Sequence, residues 1–423
     1  MARVEPFRAL RYHPRFASEM GRIAAPPYDV IGEIDRIRYE QAHPNNVVRL
    51  ILPGEAGREE DGSFYSGAAA LLARWREDRT LVEDPVPAFY PYRQTYRGPD
   101  GTRASRLGFL GALGLARAGD RSAALPHERT LEAPRRDRTR LIAACRANLS
   151  PIFLLHPDTM GRVGASLECS TAGEPLFRFT DAQGVLHEFW KVDDPCGIHP
   201  ICEGLDADWT LIADGHHRYE SAVAVMEERP DEEGARFVLA YFCSLKDRGF
   251  RIFPIHRLVR PPLGGETMDL GGRLLECVPG EILIGATGPE AVLARLREEG
   301  EGCFAALLPS GPPLLLRPAR GRRKEEAGPG ALDDVDTVVL QREILTAVLG
   351  ITSEDVGTGA VEYTADAGEA FRRVRSGEVA AAFLLNPLRV DSVVRAAREG
   401  LRLPQKSTFF YPKVFTGLAI RPF

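Results

Sequence analysis

Leu211-Ile212-Ala213-Asp214-Gly215-His216-His217-Arg218-Tyr219-Glu220 is the stretch that decides how this chain reads. The apolar run at 209–213 is short, and it predicts a strand that delivers the chain to a sheet edge. Asp214-Gly215 interrupts it, and Gly215 permits a sharp turn or a close backbone approach. Tyr219, Ala222, Val223 and Met226 then recur at i, i+3, i+4 and i+7, the spacing of one helix face. The order strand, turn, helix ends on a helix N-terminus, where N–H groups and the dipole favour an anion. Arg218 could hold a phosphate bidentately there, and His216 or His217 could donate a hydrogen bond or move a proton near neutral pH. Asp214 could cap the helix, orient a histidine or bind Mg2+ through water. The plainer reading is a capped helix carrying two surface histidines. Adjacent histidines on a helix diverge by about 100°, which works against both binding one ion.

Upstream, 63–78 has helical spacing with Leu71, Leu72 and Trp75 apolar. The segments 88–96 and 106–115 read as a hairpin around Gly98-Pro99-Asp100-Gly101. Leu141, Cys145 and Leu149 share a helix face, and Ser150-Pro151 ends it. Strands are predicted at 152–155, 177–179, 186–192, 237–244 and 250–255. Downstream, Pro261-Pro262-Leu263-Gly264-Gly265 reads as a domain boundary and 317–330 as an exposed loop. Asp366 caps a helix that stops near Ser376-Gly377, 379–385 is a strand, and Gly400 terminates a helix at 391–399. Interspersed elements of both kinds predict an α/β or α+β protein with mixed sheets. Three regions are expected, 1–125, 126–260 and 261–423.

Three further stretches carry candidate chemistry. In His127-Glu128-Arg129-Thr130, Glu128 could act as a general base, while the four arginines at 134–140 could steer an anion; a charged loop leading into a solvated helix is the alternative. In Gln405-Lys406-Ser407-Thr408, Lys406 and the hydroxyls could bind phosphate; an edge strand with aromatic packing is the alternative. Ala25-Pro26-Pro27-Tyr28-Asp29-Val30 reads as a rigid turn with Asp29 as a candidate site residue.

Composition narrows the function classes. With 423 residues, 44% hydrophobic and 27% charged, the chain reads as a soluble multidomain protein. A formal charge of −5 gives no support to nucleic-acid or membrane-surface binding. The N-terminus has no signal-like apolar stretch, so a cytoplasmic protein is expected. Seven scattered cysteines with no CxxC pair argue against a disulfide framework. Cys196, His199 and Cys202 form the tightest cluster; a zinc site would need His187 or His256 as a fourth ligand, and buried thiols in a loop are the better reading. Five of the 54 basic residues are lysine, and two of those lie at 406–413.

These motifs resemble the uncharacterised family called domain of unknown function 1015. The resemblance rests on Pro6-Phe7-Arg8-Ala9-Leu10-Arg11-Tyr12, Pro26-Pro27-Tyr28-Asp29-Val30-Ile31, His127-Glu128-Arg129-Thr130, Arg146-Ala147-Asn148-Leu149-Ser150-Pro151-Ile152-Phe153, and the stretches 213–220 and 404–413. More distantly, Asp214-Gly215-His216-His217-Arg218 is similar to the Gly-x-His-Arg signature of the ParB/sulfiredoxin-like superfamily, whose turn and helix start bind nucleotide phosphates. Free-serine kinases of that superfamily carry the same five residues and phosphorylate L-serine, with a glutamate as base. The resemblance implies a ParB/sulfiredoxin-like core, a nucleotide (ADP or ATP) with Mg2+, and a small-molecule substrate such as L-serine or phosphoserine. Sulfiredoxins place a cysteine where His216 stands, so sulfinic acid reduction is not supported. The basic recognition helix of ParB partition proteins has no counterpart.

The resulting expectation is a phosphotransferase. Arg218, Gly215, His127, Arg129, Thr130, Lys406 and Ser407 would hold phosphate, His216 or His217 would stabilise charge, Glu128 would accept the hydroxyl proton, and Asp214 would hold Mg2+ or orient histidine. Phosphate-ester hydrolysis and nucleotide sensing without turnover are the alternatives. No GxxxxGK[ST] loop is present, which excludes P-loop chemistry.

Overall fold

A computed structural model describes residues 3–53, 63–98, 101–116, 124–261, 269–318, 332 and 335–423. Pro99-Asp100 of the hairpin turn, 262–265 of the expected boundary and most of the 317–330 stretch lie outside these residues. The chain divides into two compact units. Unit 1 comprises Met1–Pro126, Thr130–Arg251 and Pro412–Phe423, and unit 2 comprises His127–Arg129 and Ile252–Tyr411.

Unit 1 is built on an eight-stranded sheet. Its strands in chain order are β1 (Val4–Glu5), β2 (Tyr90–Arg97), β3 (Arg103–Gly114), β4 (Ile152–His156), β5 (Phe177–Thr180), β6 (Leu186–Phe189), β7 (Leu211–Asp214) and β8 (Phe237–Ser244). Their spatial order is β7-β4-β8-β3-β2-β6-β5, with β1 also on β3. The β8–β4 pair is parallel and the other pairs are antiparallel, so the sheet is mixed. The expected hairpin is β2–β3, in register from Tyr90↔Leu110 to Arg97↔Arg103. Phe89, Phe109 and Phe242 are fully buried on its core side. Each such ring contributes about 1.5–3 kcal/mol by leaving water.

Two helices frame the motif. They are α1 (Glu132–Cys145) and α2 (His216–Glu228), which pack together through Ser221 Oγ donating to Arg135 O (2.8 Å) and Arg229 Nη2 to Ala143 O (3.1 Å). The arginines at 134–140 therefore lie within a helix. That helix is shorter than its periodicity suggested. Arg146 adopts φ 48°, the left-handed region, and ends it at Cys145. Ala147–Asn148 instead pairs with Arg421–Pro422 from the chain's end, and Leu149 lies beyond the helix.

Unit 2 carries a six-stranded antiparallel sheet of β9 (His256–Val259), β10 (Gly280–Ile282), β11 (Phe304–Leu307), β12 (Leu314–Leu316), β13 (Val361–Thr364) and β14 (Ala381–Leu385), ordered β10-β12-β11-β14-β9-β13. Asp366 caps the helix α3 (Ala367–Arg375), accepting from Gly368 N (2.7 Å) and Glu369 N (3.2 Å). The architecture is thus α/β in the broad sense, with several sheets. Among the described residues no helix is long and apolar enough to cross a membrane.

Candidate functional site

Strand β7 lies at the end of its sheet, as the sequence implied. Leu125 covers part of its outer side, donating to Thr210 O (2.8 Å) and accepting from Ile212 N (2.9 Å). Opposite β4 the register shifts between Ile212 and Asp214. An irregularity of this kind raises the local twist and re-aims the side chain that follows. Gly215 then turns with φ 89° and stands at the N-cap of α2, whose first bond runs from Tyr219 N to Gly215 O (2.9 Å).

Asp214 stands one residue before the N-cap, Gly215, which itself has no side chain to bond the helix end. The Asp214 carboxylate faces two cations. Oδ2 accepts from Arg218 Nη2 at 3.2 Å, and Oδ1 lies 3.3 Å from Lys413 Nζ. Arg218 is 5% exposed, and its Nη1 donates to Pro151 O. Its guanidinium runs back beneath the turn, so a Cβ on Gly215 would lie 3.0 Å from its Cζ, Nε and Nη2. The bidentate phosphate grip expected of Arg218 is therefore replaced by internal acceptors: a buried guanidinium bonds whatever oxygen the fold supplies.

Neither histidine fits the picture of a surface pair. His216 is buried. His217 Nε2 accepts from Leu131 N at 2.9 Å, so its neutral ring carries the proton on Nδ1. Thr130 Oγ1 donates to Glu220 Oε2 at 2.5 Å. The residues following Arg129 thus bind the first two turns of α2 within unit 1. Arg129 itself is exposed and grouped with unit 2.

Other sequence candidates are used inside unit 2. His127 is fully buried, with Nε2 3.1 Å from Thr408 Oγ1 and its ring edge-on to Phe410. Ser407 is also buried, donating to Pro404 O (2.6 Å) and lying 3.1 Å from Thr337 Oγ1. Burial and these partners leave His127 and Ser407 as packing residues, not the phosphate ligands expected. Glu128 Oε1 accepts from the backbone N–H of Lys406 at 3.2 Å, and the Lys406 side chain is exposed.

Three residues of the Asp214 neighbourhood escaped the sequence reading: Lys413, Arg106 and Gln94. Arg106 is fully buried, and its Nη2 donates to Gln94 Oε1 and to Pro412 O (2.7 Å). Gln94 Nε2 donates to Lys413 O at 2.8 Å. The scarcity of lysine pointed to 406–413, which holds Lys413 as well as Lys406.

The turn at 25–30 packs nearby. Tyr28 lies beneath the Arg138 guanidinium, 4.2 Å from ring centroid to Cζ, and burial pushes its phenol up to about 12. Asp29 is exposed. Tyr28, Arg138, Asn148, Ser150 and Arg218 help line a cavity of about 30 Å³. That volume suits roughly one water.

Asp214 does not fit a direct Mg2+ centre, since both its oxygens already face cations. Among the described residues no three His, Cys, Asp or Glu side chains gather as a metal-binding group. His187, a possible fourth zinc ligand, sits between Tyr92 OH (2.5 Å) and Asp181 Oδ2 (3.0 Å).

A family model described as a protein of unknown function, DUF1015, matches residues 4–318. The chain belongs to the DUF1015 family. No curated protein matches this DUF1015 chain. Among solved structures it is similar to a free serine kinase in complex with AMP, at 15% identity and TM-score 0.34 over 68% of this chain and 83% of the other. SbnI with C-terminal truncation from Staphylococcus aureus gives 11% and 0.38, over 74% and 87%. A conserved hypothetical protein from Pyrococcus furiosus gives 13% and 0.34, over 68% and 87%. At such identities and scores nothing about activity passes from those proteins to this DUF1015 member.

Proposed function

We propose that this DUF1015 protein is a nucleotide-dependent phosphotransferase acting on a small hydroxylated metabolite, with L-serine the first acceptor to test. The supporting observation is the head of α2. A register-shifted edge strand ends there on Asp214, Gly215 turns in the left-handed region, and a 13-residue helix points its positive end at the turn. Two cations, Arg218 and Lys413, also face Asp214 beside this turn. Phosphoryl transfer needs chiefly positioning and charge neutralisation, which such a turn can supply. In this reading the backbone at Gly215 and the Nδ1–H of His217 hold phosphate oxygens, and Arg218 shapes the turn from beneath. Glu128 remains the proposed proton acceptor on sequence grounds. The nucleotide and serine come from the motif resemblance, and Mg2+ enters with the nucleotide phosphates.

Phosphorus NMR of the purified protein with Mg2+, L-serine and ADP or ATP tests this. Phosphoserine should form, and His217→Ala and Glu128→Gln should each slow it by about tenfold or more. Phosphate released from O-phosphoserine without nucleotide would replace the kinase reading with a phosphatase. If no hydroxylated metabolite is phosphorylated while nucleotide still binds, the protein is a sensor and the proposal is lost.

A further inference from the structure

Lys413 is tightly held. Its side chain is 15% exposed, and its ammonium lies 3.3 Å from Asp214 Oδ1. The backbone is clamped at two successive carbonyls, Pro412 O by Arg106 (2.7 Å) and Lys413 O by Gln94 (2.8 Å). Arg106 is fully buried between the rings of Phe153 and Tyr241, yet among the described residues no carboxylate pairs with it. Its Nε and Nη1 have no hydrogen-bond partner. Burying a guanidinium so incompletely satisfied is costly. What the fold obtains in return is a fixed position for 412–413.

We infer that Lys413 binds the ligand's phosphate at the 214–218 turn, and that Arg106 and Gln94 are positioning residues that present it. The inference rests on the reading of the turn as a phosphate site. Asp214 can release Lys413 without being left alone, because Arg218 holds its other oxygen at 3.2 Å. Lysine suits this role, because a point charge with three donors on a flexible stem can swing from carboxylate to phosphate, which the rigid guanidinium fork cannot follow as easily. Only five of the chain's 54 basic residues are lysine. The ligand class is accordingly a phosphate-bearing one, with nucleoside diphosphate or triphosphate the natural probe.

Titration calorimetry with ADP, ATP and inorganic pyrophosphate tests this on the full chain. Lys413→Ala should weaken binding by about tenfold or more, the size expected for one charge-assisted contact. Lys413→Arg should recover part of the loss. Reductive 13C-methylation, which keeps the charge, supplies a readout independent of folding defects: the Lys413 methyl signal should shift with ADP. Wild-type binding with an unaffected Lys413→Ala and an unmoved Lys413 signal would overturn this inference and leave the phosphate reading standing. If the wild-type protein binds none of the three probes, both fall together.

Discussion

At position 215 the backbone adopts φ 89°, a region that costs other residues roughly 1–2 kcal/mol. An added methyl would also press on the Arg218 guanidinium at 3.0 Å. That group is buried and bonded to Pro151 O and Asp214, so it has little room to move. Gly215→Ala should therefore lower stability by about 2 kcal/mol or more, read as a fall in the urea midpoint. An unchanged midpoint would mean that the turn yields more easily than its contacts imply. The need for glycine here was legible, because Asp-Gly between an apolar run and a helical period is a local signal. The direction of Arg218 was not legible. A string of residues shows that a guanidinium is present but not whether it turns outward to a ligand or inward to Pro151. Lys413 was further out of reach, since its clamps come from Arg106 and Gln94, separated by 306 positions from Pro412 and 319 from Lys413 respectively. His127 and Ser407 fail for the same reason: their burial is decided by Thr408, Phe410 and Thr337.

Among elements, those with local start and stop signals were read well. The Asp366 cap is an example: its Oδ1 accepts from the N–H groups of Gly368 and Glu369, two donors the helix cannot satisfy itself. Asp366→Ala should cost about 1 kcal/mol, within the range of roughly 0.5–2 for lost caps. Urea unfolding with hydrogen exchange should place the loss in 367–375, and undiminished protection there would count against the cap. The hairpin of β2 and β3 was equally visible through its turn and flanking runs. Helix α1 shows the limit. Leu141, Cys145 and Leu149 keep perfect spacing, but Arg146 turns left-handed and Ala147–Asn148 pairs with Arg421–Pro422. Nothing between 141 and 150 announces a strand partner at the far end of the chain. The register shift in β7 is hidden likewise, because it exists only relative to β4.

For the whole molecule, acid should act through histidines in both units. In unit 1, burial pushes His156 down to about 4 against the opposing pull of Asp158 and Asp208, and burial also lowers His187 despite Asp181. In unit 2, burial lowers His256 to about 4, with Arg257 adding to the effect and Asp366 opposing it. A histidine whose folded value is depressed binds its proton more readily when unfolded. Between its folded value and the ordinary 6.5 the unfolded chain therefore carries more protons, and stability rises with pH. The contribution is fully present above about 6.5 and is lost progressively as pH falls toward 4. For His156 and His256 the full loss is roughly 3 kcal/mol each, from about 1.4 kcal/mol per unit of displacement. Carboxylates held low, such as Asp84 beside Arg11, lose their contribution below this window. Asp247, whose carboxyl burial raises, works in the opposite sense and softens the slope. Urea unfolding at about pH 7.5, 6, 5 and 4.5 should show both units weakening. His156→Gln should flatten the profile for unit 1 alone and His256→Gln for unit 2 alone, followed by hydrogen exchange in β4 and β9. A stability indifferent to pH between about 7.5 and 4.5 would mean that these imidazoles gain protons as easily folded as unfolded, which their burial should forbid.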